Sequence, residues 1–187
     1  AERQYRKIID GKDSTLILDK PWDVELDDTS VISVHRTHDH QLFVNNEFTD
    51  GGIALQLYGG AVENIIAENT ATRAGGFLVT GLNACATMYT QFLDNAVVTG
   101  AGLGGPPFNL RGGRISVEPY RPIGYLDGYQ SIGVVMLGNQ FENMTSATVS
   151  GPVQNVLVED NYFANTETAV IVDQVGMGSF EFSWYWP

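Results

Sequence analysis

Apolar and polar positions along this chain recur with a spacing far longer than a helix or hairpin would impose. FVNNEFTDGGIALQLY (residues 43 to 58) and VEDNYFANTETAVIVD (158 to 173) both run an apolar strand into Asn, skip one residue and place Phe. Both then pass a polar turn and begin a second apolar strand. With that Asn as anchor, units fall at Asn46, Asn69, Asn95, Asn139 and Asn161, in steps of 23, 26, 44 and 22 residues. Three residues before the anchors stand Phe43, Ile66, Phe92, Met136 and Val158; two after stand Phe48, Ala71, Val97, Phe141 and Phe163. All ten are apolar. A second strand follows at residues 54–57, 77–79, 147–149 and 169–172. Because 44 is twice 22, the stretch between Asn95 and Asn139 has room for one hidden coil.

A period of this length predicts a solenoid, since one such unit cannot bury its apolar face alone. Each repeat offers short strands separated by turns and no helix-length periodic segment. The expected fold class is all-β, a right-handed parallel β-helix in which each coil hydrogen-bonds to the next and stacks its apolar positions inside. The Asn anchors are expected to form a ladder at one corner, where Asn tolerates left-handed backbone and its amide reaches neighbouring turns. A leucine-rich horseshoe has a similar period, but its Leu-x-Leu spacing and helical half are missing.

Through the anchors and the coil NVLVEDNYF (155 to 163), the chain resembles the pectate-lyase-like group of bacterial right-handed β-helix repeat proteins, over residues 38–174. Lyases, hydrolases, epimerases, tailspikes and adhesins share such coils, so the resemblance speaks to fold more than to activity. It implies a carbohydrate-processing or carbohydrate-binding β-helix at an extracellular or periplasmic surface, with a polysaccharide or glycan as partner. An enzyme of this kind would be a polysaccharide lyase or glycoside hydrolase. The chain has no Gly-His-Gly or paired-Asp block resembling polygalacturonases, no Asp-Pro-His-Asp resembling alginate epimerases and no pectate-lyase-like calcium cluster. The alternative is a non-enzymatic structural or adhesive solenoid, a homo-oligomer or one segment of a larger β-helix assembly.

Three regions follow: 1–37, a β-hairpin element leading into the solenoid; 38–174, the coils, with an insertion at 100–130; and 175–187, a C-terminal cap or contact segment. The first contains strand, turn at DGKDS, strand TLILD, a Pro break and SVISV. It resembles hairpins that interrupt or precede coils in large bacterial β-helix proteins, where further coils usually come first; the chain is thus read either as the later part of a longer solenoid or as packing its open end against another chain. The insertion carries Pro106, Pro107, Pro119 and Pro122 and is read as overhanging one face or covering apolar surface. Its Gly100, Gly102 and Gly105 match a dinucleotide fingerprint, but Pro106 and Pro107 stand where the helix should begin.

Composition narrows the partners. A net charge of −12 argues against a nucleic-acid backbone as partner, because that binding needs clustered Lys and Arg. It also fits polyanions poorly without a local basic patch or a bridging cation. No apolar run approaches membrane-helix length, so no membrane insertion is expected. Cys85 stands alone and forms no intrachain disulfide. No cofactor is required by any motif, with a divalent cation left open.

Candidate chemistry gathers at two places. His35, His38 and His40 fall in HRTHDH with Asp39 between them. This cluster reads either as a polar turn or as a transition-metal or acid–base group, without the helical H-E-x-x-H spacing of hydrolytic zinc sites. Six residues before the anchors lie His40, Glu63 and Tyr89, which stacking would place in a row at roughly 4.8 Å per coil. An imidazole, a carboxylate and a phenol so aligned could move protons in uronate β-elimination, epimerisation or glycoside hydrolysis. They are the catalytic candidates. Substrate-binding candidates are Arg73, four residues after its anchor beside Asp50, and Trp184 and Trp186 in the final FEFSWYWP. Arg73 would neutralise a substrate carboxylate or simply pair with Asp50. No metal ligands are assigned.

Overall fold

The computed structural model describes residues 4–30, 32, 34–51, 53–58, 60–81, 87–98, 114–119, 131–143, 147–150, 153–165, 170–173 and 180–182. Every regular element among them is a β-strand. The chain divides into two compact units, Ala1–Val34 and His35–Pro187.

In the first unit β1 (Ile8–Lys12) and β2 (Thr15–Leu18) form the expected antiparallel hairpin. Lys12 pairs with Thr15, so Asp13 and Ser14 make the turn, and Asp13 takes the left-handed conformation with φ 54° that Asp tolerates. Beyond the hairpin, the Arg6 guanidinium lies 5.2 Å from the Trp22 ring centroid and pairs with Asp23 at 2.8 Å.

The second unit is a parallel β-solenoid. Its first coil runs through β3 (His38–Asp39), β4 (Leu42–Val44), β5 (Glu47–Thr49) and β6 (Leu55–Tyr58). The second contains β7 (Ala61–Val62), β8 (Ile65–Ala67), β9 (Thr70–Thr72) and β10 (Gly76–Gly81). The third contains β11 (Thr87–Met88), β12 (Gln91–Leu93), β13 (Ala96–Val98) and β14 (Arg114–Pro119). The fourth contains β15 (Ser131–Ile132), β16 (Val135–Leu137), β17 (Gln140–Glu142) and β18 (Ala147–Ser150). The fifth contains β19 (Val153–Gln154), β20 (Val156–Glu159), β21 (Tyr162–Ala164) and β22 (Val170–Asp173), after which β23 (Phe180–Phe182) adds to the edge of β20. Corresponding strands stack into four parallel sheets: sheet I from β3, sheet II from β4, sheet III from β5 and sheet IV from β6 onward.

Stacking places the repeated apolar positions inside. Ile66, Phe92 and Met136 are in register and fully buried, as are Ala71, Val97 and Phe141 in the next sheet. Phe43 and Phe48, on the first coil, pack against this core but are only partly buried. Phe141 and Phe163 stack with centroids 4.8 Å apart and planes 8° from parallel, so the one-coil spacing also brings aromatic faces together.

Two expectations are corrected. Asn95 donates its backbone N–H to Asn139 Oδ1 at 3.0 Å, and β12 and β13 pair directly with β16 and β17. No coil is hidden between these anchors. The 44-residue step is one lengthened coil in which β14 supplies the sheet IV strand. Residues 100–113 and 120–130, the rest of the insertion, lie outside the described residues. Step arithmetic alone cannot separate two short coils from one long coil.

The anchors are also not the left-handed residues. Those are the residues immediately before them: Asn45, Glu68, Asp94, Gly138 and Asp160, with φ between 51° and 68°. Turning the chain there sends each Asn side chain inward, where Asn69, Asn95 and Asn139 are at most 1% exposed. Each anchor Oδ1 from Asn69 to Asn161 accepts both the backbone N–H and the Nδ2 of the anchor one coil earlier, at 2.9–3.1 Å. Each Nδ2 from Asn69 to Asn161 also donates to a carbonyl of the preceding coil: Phe43, Ile66, Phe92 and Met136 in turn. The ladder is an internal polar spine with its hydrogen bonds made, which is what permits its burial.

Candidate functional site

A second left-handed row lies at the corner between sheets I and II. His40, Glu63, Tyr89, Gly133 and Asn155 occupy it with φ between 53° and 67°. Their backbones are tied coil to coil: His40 N–H donates to Val62 O, Glu63 N–H to Met88 O and Tyr89 N–H to Ile132 O, at 3.1, 2.9 and 2.7 Å. A left-handed residue between two short strands turns the chain and throws its side chain outward, while the next residue points in. Asn64 illustrates the inward set: it is fully buried and its Oδ1 accepts Gln41 N–H at 2.8 Å.

The expected His40, Glu63, Tyr89 row therefore lies on one corner. His40 Nε2 is 2.7 Å from Glu63 Oε2, and its Nδ1 is 3.2 Å from Asp39 Oδ2. Both ring nitrogens thus face carboxylates. Tyr89 is 52% exposed, and its ring extends over Gly133 in the following coil. A Cβ placed on Gly133 would sit 2.5 Å from Tyr89 Cδ1 and 2.9 Å from Cε1. At the corner between sheets II and III the same arrangement recurs, with Asp94 reaching over Gly138.

Arg73 lies on a third corner, between sheets III and IV, engaged with Asp50: Nε to Oδ1 at 2.6 Å and Nη2 to Oδ2 at 2.9 Å. This bidentate pair holds the Asp50 carboxyl below the usual carboxylate range and raises the guanidinium. In the first unit Asp23 is lowered chiefly by its hydrogen bond from Arg6, and Asp27 by those from Thr29 and Ser30. Depressed folded values mean that these contributions are present above the ordinary carboxylate range and vanish as pH falls through the lowered values. Asp50→Asn is accordingly expected to lower the melting temperature slightly at about pH 7 and not at all at about pH 2. An equal loss at both pH values in thermal melts would contradict the pairing.

Among the described residues no group of three or more His, Cys, Asp or Glu converges to hold a metal ion. Trp184 and Trp186 lie outside the described residues. Gly133 and Gly138 were missed as site residues, whereas Asp39 was read only as part of the HRTHDH cluster. The signal for the two glycines was present: carrying the offsets of six and one residues before the anchor on to Asn139 gives Gly133 and Gly138.

Fold and corner rows define the class, a parallel β-solenoid with an internal Asn ladder and left-handed corners that carry stacked side chains. No protein-family model, curated protein or solved structure matches the chain.

Proposed function

We propose that this solenoid is a glycan-binding protein of an extracellular or periplasmic surface, with the corner at Tyr89 as its contact. The observation that carries the reading is the Tyr89 ring, half exposed and extended over Gly133 in a row that also presents Glu63 and His40. A pyranose offers an apolar C–H face to an aromatic ring and a rim of hydroxyls to carboxylate groups. The coil resemblance to pectate-lyase-like proteins supports the same substrate class.

Binding is favoured over catalysis by His40. A proton-abstracting imidazole needs one nitrogen aimed at substrate, and both of these face carboxylates. Arg73, bound through two atoms to Asp50, is likewise committed elsewhere. Calorimetric titration with a panel of oligosaccharides is expected to find a ligand whose affinity falls about tenfold in Tyr89→Ala and is largely kept in Tyr89→Phe. The same panel is expected to yield neither unsaturated products nor new reducing ends. Unchanged affinity in Tyr89→Ala would remove the corner as the contact, and product formation would restore the lyase or hydrolase reading.

A further inference from the structure

The fourth coil is bare at two corners. Gly133 and Gly138 flank β16, both with positive φ, where the three preceding coils carry His40, Glu63 and Tyr89 at one corner and Asn45, Glu68 and Asp94 at the other. Left-handed backbone does not by itself demand glycine here, since eight non-glycine residues adopt it in those same rows. What the glycines permit is the observed placement of their neighbours. At Gly133 a Cβ would collide with the Tyr89 ring, and at Gly138 with the Asp94 carboxylate. Each glycine is the seat on which a side chain of the third coil lies down.

We infer that Gly133 and Gly138 are positioning residues that lay Tyr89 and Asp94 across the fourth coil as the two ends of one subsite, and that the subsite takes an amino-sugar glycan. The inference rests on the glycan-binding reading above. The two ends are five residues apart along extended chain, at most roughly 16 Å, a span suited to a short oligosaccharide. Between them the outward positions of β12 and β16 are Gln91, Leu93, Val135 and Leu137, with Leu137 36% exposed. This strip is uncharged, and its contact with a sugar would be through C–H faces.

Charge selects the class. Among the described residues of the two rows, His40 is the one basic side chain, and Glu63 and Asp39 already face it. Glu68, Asp94 and Asp160 line the far corner. A uronate carboxylate would meet like charge there, whereas the ammonium of an amino sugar would meet Asp94.

The test is titration of the intact chain with oligomers of glucosamine, glucose and galacturonic acid, on wild type, Tyr89→Ala, Gly133→Asn, Gly138→Asn and Gly133→Asn with Tyr89→Ala. Asparagine tolerates the left-handed backbone, so these variants add a side chain at little backbone cost. The glucosamine oligomer is expected to bind tightest, with affinity falling as salt rises. Gly133→Asn and Gly138→Asn are each expected to weaken it about tenfold, and Gly133→Asn to add nothing once Tyr89 is alanine. Ring placement has its own readout. By NMR the Gly133 Hα protons are expected to show a ring-current shift that Tyr89→Ala abolishes. Equal or tighter binding of the galacturonic acid oligomer overturns the sugar class while leaving glycan binding intact. Undiminished binding in Gly133→Asn, with a loss in Tyr89→Ala, overturns the positioning role alone, as does absence of the ring-current shift. No binding of any oligomer overturns the reading and the inference together.

Discussion

Asn95→Ala is expected to remove about 4 kcal/mol of folding stability, more than most single substitutions. Asn95 is 1% exposed and sits at the centre of the ladder. Its Oδ1 accepts the Asn69 backbone N–H at 3.1 Å and Asn69 Nδ2 at 3.0 Å, while its own Nδ2 donates to Ile66 O at 2.9 Å and to Asn139 Oδ1 at 3.0 Å. Alanine strands two donors of Asn69, each buried polar group left unpaired costing about 1–3 kcal/mol, and takes from Ile66 O its side-chain donor while the β8–β12 ladder stays in place. Asn46→Ala provides the contrast. Asn46 lies on the first coil, where its Nδ2 bonds to Val44 O and Asn69 Oδ1. Its removal takes one donor from Asn69 Oδ1 but leaves the backbone bond from Asn46 N–H in place, so a loss of about 1 kcal/mol is expected. Denaturant titration of both variants decides the point, and comparable losses would mean that the ladder is not the cooperative spine described here.

Phe92→Ala is expected to cost about 3–5 kcal/mol, the range for emptying a packed aromatic site. Phe92 is fully buried, in register with Ile66 in the coil before and Met136 in the coil after. In a solenoid each coil contacts only its neighbours, so a cavity at the middle coil weakens both interfaces at once. Collapse around the cavity is opposed because the flanking backbones are held by β-ladder hydrogen bonds. Phe43, one end of the same row, is only partly buried. Phe43→Ala is expected to lose about half as much or less. Equal losses at the two positions, measured by denaturant unfolding, would rule out a row whose burial grows from end to middle.

The corner residues follow a different logic from the core, and the sequence shows why. His40, Glu63 and Tyr89 share an offset from their anchors but no chemical type, so composition could not group them; the Asn register could. Once coils stack at a fixed spacing, equal offset becomes spatial adjacency, as the 2.7 Å separation of His40 and Glu63 demonstrates. The same register, carried two anchors further, reaches Gly133, which looks like a plain turn glycine until the Tyr89 ring is seen over it. Asp39 lies outside the anchor pattern's outward row, and its approach to His40 Nδ1 depends on side-chain geometry that no spacing encodes.

By itself the sequence determined that the chain is a parallel β-solenoid preceded in sequence by a hairpin, which apolar residues face inward and which residues share a row. Those properties come from periodicity, because a repeated apolar position has one way to be buried when coils stack. The tertiary structure alone decided that Asn95 and Asn139 are neighbours, that the left-handed residue precedes each anchor, and that the anchors turn inward. It also decided between the two readings of Arg73 in favour of the pair with Asp50, and showed that both nitrogens of His40 face carboxylates. Hydrogen bonds between coils are directional and act over about 3 Å, so which carboxylate, amide or ring fills a given gap depends on coordinates that a one-dimensional pattern does not carry.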